Sequence, residues 1–216
     1  MTEIKICGLT RREDVELACA LGAAYVGLNF ASVSPRRVSL ELARALSRAT
    51  RPGVARVGVF VHETREEILE AVEAAGLDLL QIHRPLALDD LDRSPRPVIA
   101  VERVSGRGIE AAPPALLARC RCVLLDTAGG RPGGTGTAFD WNVLAGKTWP
   151  VPLILAGGLG PENVAEAISR VRPAAVDVAS GVESSPGIKD EARMRLFFKA
   201  VQDAGSLTPS SGRVAG

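Results

Sequence analysis

Eight short apolar runs, rich in Val, Ile, Leu and Ala, alternate along the chain with longer amphipathic stretches. Such runs are typical of parallel strands that are buried on both faces, and their alternation with helices indicates consecutive βαβ units. Eight units in about 200 residues predict a single-domain α/β fold, the (β/α)8 TIM barrel, with an open doubly wound sheet as the rival. The predicted strands are Ile4–Cys7, Tyr25–Leu28, Val57–Phe60, Leu79–His83, Val98–Val101, Val123–Asp126, Leu153–Ala156 and Ala175–Val178.

Helix start and stop signals lie between these runs. Thr10 is expected to cap a helix over Arg11–Leu21, and Thr64 with Glu67 has the pattern of a capping box. The remaining helices are expected over Leu40–Thr50, Arg65–Ala75, Glu162–Arg170 with Pro161 in its first turn, and Asp190–Gln202, with short or irregular helices in Leu86–Asp92 and Ser105–Arg119. We therefore expect residues 1–204 to form the barrel and the Gly-, Ser- and Pro-rich residues 205–216 to be a disordered tail.

Composition argues against several classes of partner. The 216 residues carry a formal net charge of +1, and no basic stripe with interleaved aromatic residues is present, so nucleic-acid binding is not expected. No apolar run reaches the length of a membrane span, and no signal-peptide pattern opens the chain. A cytoplasmic protein that does not bind membranes is therefore expected.

The cysteines and histidines do not have the spacing of a metal site. Cys120 and Cys122 stand two positions apart, which is not the spacing of a zinc knuckle, and His62 and His83 are distant in sequence. No metal and no disulfide framework are expected. Cys19, Cys120 and Cys122 are interpreted as small core residues.

Cys7 and Asp126 each stand at the last position of a predicted strand. In parallel α/β folds, chemistry takes place at the carboxyl ends of the strands. A thiol and a carboxyl group at that edge suggest a base and an acid that need no metal and no cofactor. The alternative is that Cys7 is a core residue and Asp126 a capping residue.

Two glycine clusters, Ala156–Gly160 and Ala179–Val182, follow the last two predicted strands. Loops after strands seven and eight of a barrel often bind phosphate, because glycine lets backbone N–H groups approach an anion closely. The alternative is a pair of ordinary tight turns. A third cluster, Gly129–Gly136, follows Asp126 in a long loop, which argues against a dinucleotide site and is compatible with a loop that closes over a ligand.

Two further residues are candidates for ligand contacts. Arg36, in Ser34-Pro35-Arg36-Arg37, follows the second predicted strand, and a guanidinium there can grip a carboxylate, although both arginines can also be solvated loop charges. His83 ends the fourth predicted strand, where it can line a pocket or satisfy a hydrogen bond of the core.

Taken together, these motifs resemble the phosphoribosylanthranilate isomerase family of tryptophan biosynthesis. The resemblance runs from Lys5 to Asp190, and its carriers are Lys5–Thr10, Ser34–Arg36, Leu80–His83, Asp126, Gly133–Gly136 with Phe139–Trp141, Leu155–Leu159 with Glu162–Val164, and Asp177–Glu183 with Pro186, Gly187, Lys189 and Asp190. It implies a (β/α)8 barrel that converts N-(5-phosphoribosyl)anthranilate into 1-(2-carboxyphenylamino)-1-deoxyribulose 5-phosphate without a cofactor. The chain departs from the family pattern at Arg84, where glycine is usual, and in Leu28–Val33, which is less aromatic.

The resemblance also implies roles for individual residues. Cys7 would be the general base, Asp126 the general acid, and Arg36 the anchor of the anthranilate carboxylate. The implied substrate-binding set further contains His83, Gly157, Gly158, Asp177, Ser180 and Gly181. The implied partner is a small phosphorylated substrate, and the protein is expected to be a monomer or a homodimer.

Two alternatives remain at this point. A related sugar-phosphate barrel isomerase of histidine biosynthesis resembles the chain at the phosphate loops but uses two aspartates, and Cys7 argues against it. A catalytically silent barrel that binds a phosphorylated metabolite is argued against by the presence of both Cys7 and Asp126.

Overall fold

The structure is a computed structural model that describes residues 1–105, 108–109, 111–126, 141–144 and 146–206. Eight parallel strands form its centre. They are β1 Glu3–Cys7, β2 Tyr25–Asn29, β3 Ala55–Phe60, β4 Leu79–Ile82, β5 Val98–Ser105, β6 Cys122–Asp126, β7 Leu153–Ala156 and β8 Ala175–Val178. Each predicted strand is therefore present, with bounds that differ by a few residues at most.

Helices connect most of the strands in this part of the chain. They are α1 Arg12–Leu21, α2 Leu40–Ala49, α3 Arg65–Ala75, α4 Leu88–Asp92, α5 Pro114–Leu117, α6 Val164–Val171 and α7 Glu191–Ser206. Short 3-10 turns occupy Trp141–Leu144 and Ser180–Val182, and a small antiparallel hairpin pairs Glu183–Ser185 with Ile188–Lys189.

The strands close into a barrel. Each strand from β1 to β4 pairs with its successor, β4 pairs with β5, and the pairing continues through β6, β7 and β8 back to β1. The closing seam aligns Lys5 with Asp177 and Ile6 with Val178. This closed parallel sheet is the predicted (β/α)8 barrel and excludes the open doubly wound sheet.

Alternation along the strands produces two cores. Residues that point outward pack under the helices in a large apolar layer that contains Ile4, Ile6, Val176 and Val178. Residues that point inward form a smaller cluster inside the barrel, made of Val57, Leu79, Ile99, Cys122, Leu124, Ile154, Ala156 and Ala175. Because both faces of each strand lie against an apolar cluster, the strand sequences are nearly continuous apolar runs. Polar inward positions are therefore conspicuous, and they lie toward the carboxyl ends of the strands.

Of the helix caps predicted from the sequence, the cap of α3 is confirmed and that of α1 is wrong. Thr64 and Glu67 form the predicted capping box at α3, and Gly76 ends that helix in a left-handed conformation. The predicted cap of α1 is wrong, since Arg11 is the N-cap residue and makes no side-chain cap bond. The Thr10 hydroxyl instead donates to the Gly187 carbonyl in the hairpin, a tertiary contact that a local pattern does not reveal.

Two other helix bounds also differ from the prediction. Helix α6 begins at Val164 with Asn163 as N-cap, so Pro161 precedes the helix rather than lying in its first turn. Helix α7 continues to Ser206, two residues into the segment predicted as a tail. The rest of the predicted tail, residues 207–216, lies outside the described residues. The predicted Gly129–Gly136 loop also lies outside them. Among the described helices, none is long and apolar enough to span a membrane.

Candidate active site

Cys7 lies at the mouth of the barrel, at the last position of β1. It has the inward orientation of Lys5, two positions earlier, because side chains alternate along a strand. Only 8% of the residue is exposed. Gly8 follows with a φ of +70°, a left-handed conformation that turns the chain sharply away from the strand.

A buried ion pair lies directly beneath Cys7. Lys5 Nζ is 3.0 Å from Asp177 Oδ1 across the β1–β8 seam, and the Lys5 side chain is 0% exposed. A β-carbon built on Gly27 of β2 would lie 2.9 Å from Cys7 Sγ and 3.2 Å from Lys5 Nζ, so both atoms converge on the space that this glycine leaves open. The Asp177 carboxylate thus holds the Lys5 ammonium near the Cys7 thiol, and Gly27 leaves room for both groups.

The environment of Cys7 has opposing effects on its acidity. Burial raises the pKa of the Cys7 thiol, and Asp177 adds to the increase, whereas the ammonium groups of Lys5 and Lys189 act in the lowering direction. The net effect is an increase in pKa. A thiolate that forms here is consequently a stronger base than an exposed one, and two cations are placed to stabilise it.

Asp126 lies at the same rim, at the end of β6. Its predecessors Cys122 and Leu124 belong to the cluster inside the barrel, so Asp126 continues the inward-facing row at the mouth. It is aligned with Ala156, where the first glycine loop begins. The structure therefore places the predicted acid and base at the same end of the barrel.

His83 follows β4 on this rim and lies close enough to Asp126 for an electrostatic interaction. Burial lowers the pKa of His83, which favours the neutral imidazole, while Asp126 acts in the opposite direction. Gln81 Nε2 is 2.7 Å from His83 Nε2 and donates to that ring nitrogen in the neutral tautomer that carries its proton on Nδ1. His83 is thus a neutral, oriented group beside the carboxyl group of Asp126.

Arg36 is held over the mouth by a carboxylate. Its Nε and Nη2 atoms donate to Glu183 Oε1 and Oε2 at 2.8 and 2.6 Å, a bidentate pair that fixes the plane of the guanidinium. The Arg36 side chain keeps 21% exposure, compared with 4% for Glu183. Within the described part of the chain, Nη1 has no hydrogen-bond partner, so a second fork formed by Nη1 and Nη2 can receive another carboxylate. The alternative interpretation of Arg36 as a solvated loop charge does not fit this geometry.

The two glycine loops meet after β7 and β8. Gly157 and Gly158 have φ angles of +90° and +65°, which side chains rarely adopt. A β-carbon on Gly181 would overlap the carbonyl oxygen of Leu159, so the backbones of the two loops touch directly. Asn163 accepts from Gly160 N–H at 2.9 Å and donates to the Gly158 carbonyl at 2.9 Å, which fixes the first loop.

The two departures from the family pattern have local explanations. Arg84 forms a bidentate pair with Asp90 of α4 at 2.9 and 2.7 Å, which directs its charge to that helix. Phe30, just after β2, stacks on Phe60 at the end of β3, with ring centroids 5.2 Å apart. Both rings are buried in the apolar layer under the helices, so the altered segment still contributes to the core.

Several polar residues of the site were named in the sequence only as parts of motifs. Lys5, Glu183 and Lys189 are buried and bonded to residues with predicted roles. The signal for Lys5 was present, since a lysine two positions before Cys7 in an apolar strand must share its inward face. Glu183 and Lys189 gave no such signal, because their partners are distant in sequence. Among the described residues, no group of three His, Cys, Asp or Glu side chains could hold a metal ion.

Comparisons with known proteins point to one family. The family model described as N-(5'phosphoribosyl)anthranilate (PRA) isomerase matches residues 4–200. An N-(5'-phosphoribosyl)anthranilate isomerase of Pseudomonas fluorescens Pf-5 is 48% identical over 199 residues, which cover 92% of this chain and 94% of the relative.

Solved structures give the same result. The phosphoribosyl anthranilate isomerase of Thermotoga maritima superposes with a TM-score of 0.81 at 37% identity, covering 94% of this chain and all of its own. A second isomerase structure, in complex with reduced 1-(o-carboxyphenylamino)-1-deoxyribulose 5-phosphate, gives a TM-score of 0.78 at 36% identity, with 94% of this chain and 100% of its own covered. By family model, relatives and fold, the chain belongs to the N-(5'-phosphoribosyl)anthranilate isomerase family.

Proposed function

We propose that this isomerase rearranges N-(5-phosphoribosyl)anthranilate to 1-(2-carboxyphenylamino)-1-deoxyribulose 5-phosphate with Asp126 as general acid and Cys7 as general base. The observation that carries the assignment is the placement of both groups at one mouth of the barrel, on β6 and β1, between the Arg36 fork and the glycine loops. No cofactor takes part in the proposed mechanism, because each step is a proton transfer.

The first step opens the ribose ring. The protonated carboxyl group of Asp126 donates to the ring oxygen while the bond between C1 and that oxygen breaks, and the anthranilate nitrogen supplies its lone pair to form a protonated Schiff base. The neighbouring His83 is neutral, so it does not add a second positive charge beside the forming cation. Asp126 leaves this step as a carboxylate.

The second step removes the C2 proton, which the Schiff base has made acidic. The Cys7 thiolate takes this proton, the electron pair forms the C1–C2 double bond, and the electrons of the C1=N double bond return to nitrogen to give an enolamine. Tautomerisation then moves the proton of the C2 hydroxyl to C1 through solvent as C2 becomes the ketone carbon. Cys7 returns to the thiolate and Asp126 to the protonated acid by proton exchange with solvent. Lys5 supports this step because its ammonium, which is anchored to Asp177, lies beside the sulfur that carries the negative charge.

Substrate binding is proposed to use the two ends of the site separately. The Nη1 and Nη2 atoms of Arg36 receive the anthranilate carboxylate, since Glu183 already occupies the side of the guanidinium formed by Nε and Nη2. The loops that contain Gly157, Gly158, Ser180 and Gly181 bind the 5-phosphate through backbone N–H groups. Asp177 contributes to the substrate-binding site by holding the Lys5 ammonium in place. We include a cytoplasmic location and a monomeric or homodimeric state in this proposal.

The deciding experiment is turnover by the purified protein. Fluorescence of the anthranilate substrate should fall with time, and folded Asp126→Asn and Cys7→Ser variants should be strongly impaired. A parallel reaction with the aminoaldose substrate of the histidine-pathway isomerase tests the alternative activity. A folded wild-type protein without turnover of the anthranilate substrate would contradict the proposal.

A further inference from the structure

The ammonium group of Lys189 is buried at the rim of the active site with all of its donors in use. Lys189 Nζ is 2.7 Å from the Cys7 carbonyl oxygen, 3.1 Å from the Ala179 carbonyl oxygen and 2.8 Å from Glu183 Oε1. An ammonium has three N–H donors, and these three acceptors match them. The side chain is 0% exposed, so no substrate atom needs to touch it.

The two carbonyl acceptors belong to the ends of two strands that meet at the barrel seam. The β1–β8 ladder ends at the pair Ile6 and Val178, and Cys7 and Ala179 are the next residues on each strand. Beyond the last ladder bond the strands diverge, and Lys189 bridges their carbonyl groups there. One of these strand ends carries the proposed base, and the other leads into the loop at Ser180 and Gly181.

The third acceptor connects Lys189 with the carboxylate clamp. Glu183 and Lys189 face each other across the small hairpin, and Glu183 also holds Arg36. Two cations therefore share one buried carboxylate, and the excess positive charge lies on Arg36, the more exposed of the two cations. That arrangement prepares Arg36 for a second, external carboxylate.

The hairpin itself is anchored from the helix layer. The Lys189 backbone N–H donates to Asp14 Oδ2 at 3.1 Å, and Asp14 is buried and paired with Arg11. The Lys189 backbone is thus fixed independently of its side chain. A substitution at the ammonium group alone can therefore be made without removing the anchor of the hairpin.

We propose that Lys189, together with Glu183, is a positioning residue that sets the Cys7 strand end, the phosphate-side loop and the Arg36 fork in a fixed mutual arrangement. This inference rests on the proposed function, since it concerns the same site. It predicts that loss of the ammonium impairs both the chemical step and substrate binding, because one group orients the base and the carboxylate clamp.

The test compares Lys189→Met with Lys199→Met. Lys199 is an exposed residue of α7 that pairs only with Asp203 within the described structure, so its variant should keep wild-type kinetics. For Lys189→Met we expect kcat to fall about 10- to 100-fold, since a misplacement of about 1 Å can cost a factor near 100. The KM for N-(5-phosphoribosyl)anthranilate should rise as well. Circular dichroism and thermal unfolding establish that both variants are folded.

A second variant separates positioning from stability. Glu183→Gln keeps an acceptor for Lys189 but removes the charge that holds Arg36, so KM should rise more than kcat falls. A folded Lys189→Met protein with unchanged kcat and KM overturns the proposal, as does one that loses only thermal stability. If Lys189→Met does not fold, wild-type KM in Glu183→Gln overturns it. An inactive wild-type protein would instead refute the proposed function.

Discussion

Gly8 and Arg36 contact each other so closely that a β-carbon on Gly8 would overlap Cδ of the arginine. The turn after Cys7, the proposed base, and the side chain of Arg36, the proposed carboxylate anchor, therefore share one space. Because Glu183 grips the far end of Arg36, the arginine cannot withdraw without losing that pair. The Cys-Gly sequence thus serves two parts of the site at once.

Substitution of Gly8 should weaken substrate binding. Gly8→Ala adds the overlapping carbon and strains a φ of +70°, so Arg36 should be displaced and KM should increase severalfold or more. Gly22→Ala is the matched control, since Gly22 has a φ of +97° but no atom within 4 Å of the new carbon. Steady-state kinetics of both folded variants check the prediction. Equal KM values would mean that the contact with Arg36 is unimportant.

Arg36→Met should raise KM more than it lowers kcat. An anchor that holds the carboxylate equally in the ground and transition states contributes mainly to binding. Loss of hydrogen bonds to a charged group predicts an increase in KM of about 10- to 100-fold. Arg37→Met, at the exposed neighbouring residue, should leave KM unchanged. An unchanged KM in the Arg36 variant would remove Arg36 from the binding site.

Asp126→Asn should reduce kcat with little change in KM. The amide is similar in shape but cannot protonate the ring oxygen, and loss of general acid catalysis costs about 100- to 10,000-fold. Single-turnover and steady-state rates of the purified variant provide the measurement. Asp203→Asn, on the exposed face of α7, serves as the control. Near-normal turnover of the Asp126 variant would contradict its assignment as the acid.

Activity should increase with pH through the ionisation of Cys7. Burial raises the pKa of the thiol, so the protonated form persists to higher pH than in an exposed cysteine. Because the thiolate is the base, kcat/KM and the rate of alkylation at Cys7 should still be rising above about pH 8.5, the usual pKa of a free thiol. Bound product should protect Cys7 from alkylation.

Cys7→Ser provides the companion test for the base. A serine hydroxyl is a far weaker base near neutral pH, so kcat should fall about 100- to 10,000-fold while binding is retained. Peptide mapping by mass spectrometry distinguishes Cys7 from the buried Cys19, Cys120 and Cys122. Full alkylation of Cys7 with surviving activity would exclude it as the base.

Inorganic phosphate should compete with the substrate at the two glycine loops. Gly157→Val should weaken this inhibition by about tenfold or more, because a side chain at a φ of +90° distorts the loop that presents N–H groups. Gly22→Val, with similar backbone strain at the C-terminus of α1, should leave the inhibition constant unchanged. Identical constants in wild type and a folded Gly157 variant would place the phosphate elsewhere.

The fold could be predicted from sequence because the signals for it are local and repeated. Most inward and outward strand positions are apolar, so the eight runs are visible without knowledge of their partners. One of the errors occurred where a tertiary contact replaced a local one. Threonine is a common helix-capping residue, yet the Thr10 hydroxyl donates to the carbonyl of Gly187, which lies far along the chain.

The site was only partly predictable for a related reason. Cys7, Asp126 and the glycine loops stand at recognisable strand ends, and so they could be nominated individually. The ion pairs that support these residues could not be predicted. Lys5 pairs with Asp177 and Arg36 pairs with Glu183, and the partners are separated by most of the chain. Nothing in either local sequence indicates the register that brings them together.

The seam between the first and last strands has a consequence for the newly made protein. Ribosomes deliver Cys7 among the first residues, but its neighbours Asp177 and Lys189 emerge only near the end of synthesis. A nascent chain that lacks them leaves β1 without one of its two flanking strands and the Lys5 ammonium without its carboxylate. The Cys7 thiol therefore acquires the neighbours that it has in the folded protein only at a late stage of translation.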